Sequence, residues 1–214
     1  MNEVKAVLFD MDGLIFDTEG LYKACWQYAA EEQGLVLTDE DYQSFIGVQD
    51  VECERRITVK FGEALDLERF CQVRDNMFNA EQGKGIPFKP GFSKLFAHSK
   101  QKGLKCALVT SSPLKKAKHH FAGTDYFSQF DVVVTAEDVK NGKPAPDCYL
   151  MACAQLDIGP ANCLVLEDSN NGMRSGLEAG CQAIMIPDLL IPAAEVERRA
   201  TSICTSLADV KFYL

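Results

Sequence analysis

The sequence predicts an α/β fold, a doubly wound parallel sheet with a helical bundle inserted into it. Three observations carry that prediction. Short runs rich in Val, Ile, Leu and Ala recur at residues 4–9, 105–109, 132–135, 163–166 and 183–186. They are almost continuously apolar, as strands covered on both faces must be. Helical patterns separate the later runs, and strands alternating with helices imply a parallel, Rossmann-like sheet. The first interval breaks this rhythm: Asp10 and Thr110 lie 100 positions apart, whereas a strand–helix–strand unit takes about 30 residues.

The first strand is expected at residues 4–9 (VKAVLF), and a strand beginning by Val4 leaves no room for a signal peptide. The surplus that follows reads as all-helical. Leu21, Ala24, Cys25, Tyr28 and Ala29 recur at helical spacing. Thr38 before Asp39, Glu40 and Asp41 is an N-cap with an acidic first turn. Asp50 caps a further short helix ending at Gly62. Phe70, Val73, Met77 and Ala80 form an apolar stripe that reads as bundle core. The crossover helix is expected at 90–103, ending at Gly103. Further helices are expected at 114–122, 147–156 and 172–179, each between two strands. The domains expected are therefore a core of residues 1–16 and 86–214 and a helical cap of residues 17–85. Open α/β sheets bind ligands beyond the carboxyl ends of their strands. The insert is expected there, as a lid.

The chain has 214 residues, of which 47% are hydrophobic and 25% charged. These fractions exclude a disordered or low-complexity chain. The 31 acidic and 22 basic residues leave a net charge of −9. As a whole such a chain repels nucleic acid and anionic membrane. No apolar run approaches the ~20 residues of a membrane span. The nine cysteines are odd in number and form no CxxC. Most lie in apolar runs, so they read as core residues of a reducing compartment, Cys106 and Cys163 among them. The expected location is the cytoplasm.

Four polar clusters sit at or just after predicted strand ends. Asp10 and Asp12 lie in DMDG, where Gly13 permits a tight turn. Thr110, Ser111 and Ser112 end the second strand. Lys143 lies in GKPAPD, where two prolines fix the local chain. Glu167 and Asp168 end the strand CLVL, ahead of Asn170, Asn171 and Gly172. Parallel strands point one way, so these clusters meet at one edge. Carboxylates so dense are costly without a cation. Hard oxygens with no His or Cys nearby favour Mg²⁺. Lys143 and the Thr110 hydroxyl add donors for phosphoryl oxygens. One carboxylate can attack phosphorus while a second shuttles a proton.

The motifs DMDGLIFDT, VTSS, GKPAPD and LEDSNNG, in this order, resemble those of the haloacid dehalogenase (HAD) superfamily of phosphohydrolases, in the subgroup with a helical cap after the first motif. They span residues 4–187, nearly the whole chain. The resemblance implies that Asp10 is a nucleophile forming an aspartyl-phosphate. It implies that Asp12 protonates the leaving oxygen and then deprotonates water. Thr110 and the Ser111 N–H would hold phosphoryl oxygens, and Lys143 would orient the nucleophile. Mg²⁺ would be held by Asp10, the Asp12 main-chain carbonyl and Asp168, with Glu167 close by. The function implied is Mg²⁺-dependent hydrolysis of small phosphomonoesters, either sugar or nucleoside phosphates. The core stretches look closer to pseudouridine-5′-phosphatase-like and sugar-phosphate phosphatases than to the phosphomutases. The expected partner is a small phosphorylated metabolite, and the expected state a monomer or weak homodimer. One alternative is a phosphomutase of the β-phosphoglucomutase type. Against it, Tyr22 and Asp50 stand where that type has a cap His and a cap Arg. Another is a non-catalytic binder of phosphate ligands.

Other residues have plainer readings. Lys115, Lys116, Lys118, His119 and His120 read as the solvated face of a helix. His98 reads as a surface or boundary residue. Tyr22 and Trp26 either line a substrate pocket or pack inside the bundle. Glu167 either binds metal or caps the helix that follows.

Overall fold

A computed structural model of the chain describes residues 2–46, 48, 50–83 and 85–214. In chain order the elements are β1 (Ala6–Phe9), α1 (Thr18–Glu31), α2 (Asp39–Gln43), α3 (Asp50–Phe61), α4 (Leu67–Gln82), α5 (Phe92–Gln101), β2 (Lys105–Val109), α6 (Leu114–His120), α7 (Tyr126–Gln129), β3 (Val132–Val134), α8 (Asp147–Leu156), β4 (Cys163–Glu167), α9 (Asn170–Glu178), β5 (Gln182–Met185), α10 (Ala194–Arg199) and β6 (Ser202–Ile203).

The strands pair in the order β3-β2-β1-β4-β5-β6, every pair parallel. Phe9 of β1 is level with Leu108 of β2 and Leu166 of β4. The chain order reverses at β1 and β4, the switch point beyond which doubly wound sheets take ligands. All four β1 side chains are buried, and they alternate between two helical layers. Ala6 and Leu8 join Tyr149 and Ala152 of α8 and Met173 of α9. Phe9 meets Phe92 and Phe96 of α5 at ring-centroid distances of 6.0 and 5.9 Å. Burial on both faces explains why the strands are so uniformly apolar. All nine cysteines are free, and Cys106 and Cys163 are wholly buried strand residues. No helix among the described residues is long and apolar enough to cross a membrane.

The chain divides into two units, residues 1–17 with 87–214, and residues 18–86. The second unit is helical, with α1 packed on α4. Trp26 is 3% exposed. It lies 5.2 Å from Phe45, 5.4 Å from Phe70 and 4.9 Å from the Arg74 guanidinium, so it is core of this unit. Tyr22 is half-buried and stacks on Phe78 at 4.3 Å. Thr38 caps α2 through a reciprocal capping box with Asp41. α3 begins at Asp50, whose side chain lies outside the described residues, as does any comparison of it with an arginine.

Candidate active site

Asp10 prolongs the alignment of β1, its N–H donating to Leu166 O at 3.1 Å. The chain then folds into a tight loop. Ile15 and Phe16 both donate to Met11 O, at 2.9 and 3.1 Å, and Gly13 donates to Phe16 O at 3.0 Å. Met11, Leu14, Ile15 and Phe16 are buried and anchor the loop to the core. Gly13 has φ +83°, and a Cβ there would fall 2.3 Å from Asp168 Oδ2. Only glycine lets the loop lie against that carboxylate.

Lys143 is the centre of the site. Its side chain is 7% exposed. Its ammonium donates to Asp10 Oδ1 at 2.6 Å, Glu167 Oε1 at 2.6 Å and Val109 O at 3.0 Å. Burial pulls the Lys143 pKa down, but the Asp10 and Glu167 charges outweigh it and hold it above the usual lysine range. Glu167 is wholly buried. Its Oε1 also accepts from the Tyr149 hydroxyl at 2.7 Å, and its Oε2 accepts from the Ser169 hydroxyl at 3.0 Å. A Cβ on Gly172 would fall 1.8 Å from the Glu167 Cδ, so that glycine makes room for the carboxylate. Glu167 does not cap α9. The cap is Ser169, whose Oγ accepts from Gly172 N. Burial and the Glu167 charge push the Asp10 carboxyl up to about 8, with Lys143 opposing.

Thr110 and Ser112 are buried at the end of β2, and Ser111 between them is exposed. Ser112 N donates to Thr110 Oγ1 at 3.0 Å, and Ser112 Oγ donates to Asp12 Oδ2 at 2.8 Å. Asp12 Oδ1 lies 3.7 Å from His120 Nδ1 and 3.7 Å from Lys116 Nζ. His120 corrects the solvated-face reading of its helix. It is buried, with its ring against Phe16 at 5.3 Å. Burial, together with Lys116 and His119, pulls its pKa down to about 4 against the pull of Asp12, so it is neutral at pH 7.

Asp10, Lys143, Glu167 and Asp168 thus meet, with Asp12, Thr110 and Ser112 joined by their own hydrogen bonds. Tyr149 and Ser169, to which the sequence assigned no role, complete the arrangement, together with His120, which the sequence placed on a solvated face. One oxygen each from Asp10, Glu167 and Asp168 falls within 4.8 Å of the others. With all three carboxyl groups ionised, one ammonium would leave two negative charges uncompensated. That excess, the all-oxygen donor set and the burial fit a hard divalent cation.

Comparisons with known proteins find phosphatases and a phosphate-bound structure among the relatives of this chain. The Escherichia coli (strain K12) protein named Hexitol phosphatase A is 35% identical over 185 residues, 85% of this chain and 82% of that one. The Drosophila melanogaster protein named "Probable pseudouridine-5′-phosphatase" is 32% identical over 222 aligned positions, 99% of this chain and 93% of that one. The crystal structure of CbbY from Rhodobacter sphaeroides in complex with phosphate has a TM-score of 0.76 at 25% identity, covering 97% of this chain and 96% of that one. The sequence profile of the haloacid dehalogenase-like hydrolases matches residues 7–186, from β1 to just past β5. With its acidic strand ends in that order and a parallel sheet that brings them together, this chain belongs to the haloacid dehalogenase-like hydrolase family.

Proposed function

We propose that this chain is a Mg²⁺-dependent phosphatase of small phosphomonoesters, sugar or nucleoside phosphates, acting through a phosphorylated Asp10. The observation that carries the reading is the meeting of the Asp10 and Asp168 oxygens within 4.8 Å, with Lys143 bonded to Asp10 at 2.6 Å. The phosphatase names of two relatives above 30% identity support hydrolysis over the mutase alternative.

An Asp10 oxygen attacks phosphorus, the bond to the ester oxygen breaks, and Asp12 gives that oxygen a proton. Asp12, now a carboxylate, takes a proton from a water that attacks the same phosphorus. The bond to Asp10 then breaks, inorganic phosphate leaves, and Asp10 is restored. Thr110 Oγ1 and the Ser111 N–H hold phosphoryl oxygens. Lys143 orients Asp10 and offsets charge in the transition state. Asp10, Asp168 and the Asp12 main-chain carbonyl would hold Mg²⁺, which when bound supplies further charge neutralisation. Glu167 accepts from Lys143, Tyr149 and Ser169 and so has little acceptor capacity left for a metal. Its part is to fix Lys143. We assign the choice of ester to the cap, residues 17–85, and the place of work to the cytoplasm.

The test is a panel of sugar, nucleoside and polyol phosphates, assayed with Mg²⁺ and with EDTA. Turnover is expected with Mg²⁺, and it is expected to vanish on chelation and in Asp10→Asn. Activity surviving both changes refutes the reading. Product analysis should find inorganic phosphate, and an isomerised sugar phosphate would establish the mutase instead.

A further inference from the structure

α6 starts four residues after Thr110 and ends at His120, which turns inward. The His120 side chain is 0% exposed, and neither ring nitrogen has a hydrogen-bond partner among the described residues. A buried polar group left this way costs stability. Asp12 Oδ1 faces it and is likewise buried without a hydrogen bond among the described residues, the Lys116 ammonium standing 3.7 Å away, beyond hydrogen-bond reach. The two orphaned atoms are complementary, one a nitrogen able to carry a proton and the other a carboxylate oxygen. They stand 3.7 Å apart, about 0.5 Å beyond the upper range of an N–H···O bond. The other Asp12 oxygen already accepts from Ser112 Oγ at 2.8 Å. Packing alone does not account for the histidine. Phenylalanine would fill the place beside Phe16 without burying two ring nitrogens.

We propose that His120 is a positioning residue for Asp12, its Nδ1–H donating to Asp12 Oδ1 while Ser112 holds Oδ2. The inference rests on the reading of Asp12 as the group that gives and takes the proton. His120 itself exchanges none. Each carboxyl oxygen has a second acceptor position. The travelling proton is therefore carried on Oδ2 with both anchoring bonds intact. Held by both oxygens, the carboxyl group keeps one orientation through both proton transfers, and small misplacements of such a group are costly in rate.

Two measurements test this. In ¹⁵N-histidine-labelled protein at pH 7, with the His120 signals assigned by their loss in His120→Phe, the proton is expected on Nδ1. A proton on Nε2 overturns the proposal. The second measurement compares an alkyl phosphate, whose leaving oxygen needs a proton, with p-nitrophenyl phosphate, whose leaving oxygen does not. His120→Phe keeps the ring and removes the donor. Its loss of kcat is expected to be about 10-fold larger for the alkyl ester. His120→Asn restores a donor near the Nδ1 position and is expected to recover most of that difference. Equal losses on the two esters, or an Asn variant that folds and recovers nothing, overturn the proposal. If the Asn variant fails to fold, judged by its thermal melt, the wild-type tautomer decides. A wild-type protein that hydrolyses no ester refutes the phosphatase reading, and the tautomer still decides whether the His120–Asp12 bond exists.

Discussion

Replacing Tyr149 by Phe removes one oxygen from the buried floor of the site. That hydroxyl donates to Glu167 Oε1 at 2.7 Å, and the same oxygen accepts from Lys143 at 2.6 Å. The ring stays, so packing changes little, and the Lys143 ammonium still has the ring face 5.1 Å away. The loss is that of one hydrogen bond to a buried charge, about 2 kcal/mol. For a protein of this size that lowers the melting midpoint by about 4–8 °C. The assay is thermal unfolding by circular dichroism in EDTA, followed by kcat with Mg²⁺. Lys143 keeps its bonds to Asp10 and to Val109 O, so kcat is expected to fall far less than in Lys143→Ala. A variant that melts within about 1 °C of wild type would show that Glu167 does not depend on this donor. The account of Glu167 as the clamp on Lys143 would then be wrong.

Gly172→Ala places a Cβ 1.8 Å from a Glu167 carbon that three residues hold in place. It should cost about 3 kcal/mol or more in urea unfolding, and a cost under about 0.5 kcal/mol would contradict the geometry. The metal-free protein should lose stability as pH rises from about 4 to about 8. Unfolded, Asp10 gives up its proton near 4, whereas the native state keeps it up to about 8 and so binds more protons across that window. Asp10→Asn should lack this component, and urea midpoints at pH 5 and pH 7.5 that change equally in both proteins would refute it. Added Mg²⁺ should raise the wild-type midpoint and leave Asp10→Asn nearly unmoved. Asp131 behaves in the opposite sense. Burial raises its pKa, but Lys100, the Cys106 N–H and Lys105 outweigh that and hold it down to about 2. Its contribution is complete above about pH 4 and lost toward pH 2. Asp131→Asn should cost about 1–2 kcal/mol at pH 7, after allowance for the half-exposed lysines, and that cost should shrink steadily from about pH 4 toward pH 2.

Much of the core was legible because its strands are buried on both faces. β1, β2 and β4 therefore appear as apolar runs at once. β6 did not appear, because it is two residues long, with Ser202 half-buried and Ile203 exposed. Its register against Ile184 and Met185 is set by tertiary packing and not by any local pattern. The acidic strand ends were legible for the same reason as the strands. Tyr149 was not, since an aromatic residue in a helical run signals packing, and only the fold brings its hydroxyl to Glu167. The Ser169 cap was within reach, as Ser before Asn-Asn-Gly is an N-cap pattern, yet the helix was read as starting at Gly172. His120 was also within reach. Ala117, His120 and Phe121 sit at i, i+3 and i+4, an inward-facing stripe. The charge of the neighbouring lysines obscured that spacing.

The bonds of Glu167 bear on the ionisation of Asp10. Lys143 stands equally close, at 2.6 Å, to Asp10 and to Glu167. One ammonium cannot offset both, and Glu167 is the carboxylate that its other donors also lock in place. Lys143 and Glu167 then form a closed pair, and an ionised Asp10 would stand beside Asp168 with no ammonium of its own. Burial first, and the Glu167 charge after it, therefore push the Asp10 carboxyl up to about 8 although Lys143 stands at hydrogen-bond distance. On the proposed reading, ionisation of Asp10 near neutral pH is tied to the arrival of a divalent cation, and proton release accompanies its binding. Glu167→Gln separates the two effects, since it keeps a side chain of the same shape and frees the Lys143 charge for Asp10. The expected outcome is a metal-free protein whose stability falls less steeply between pH 4 and pH 8 than that of wild type. An unchanged slope would mean that burial alone, and not the claim of Glu167 on Lys143, holds the Asp10 proton.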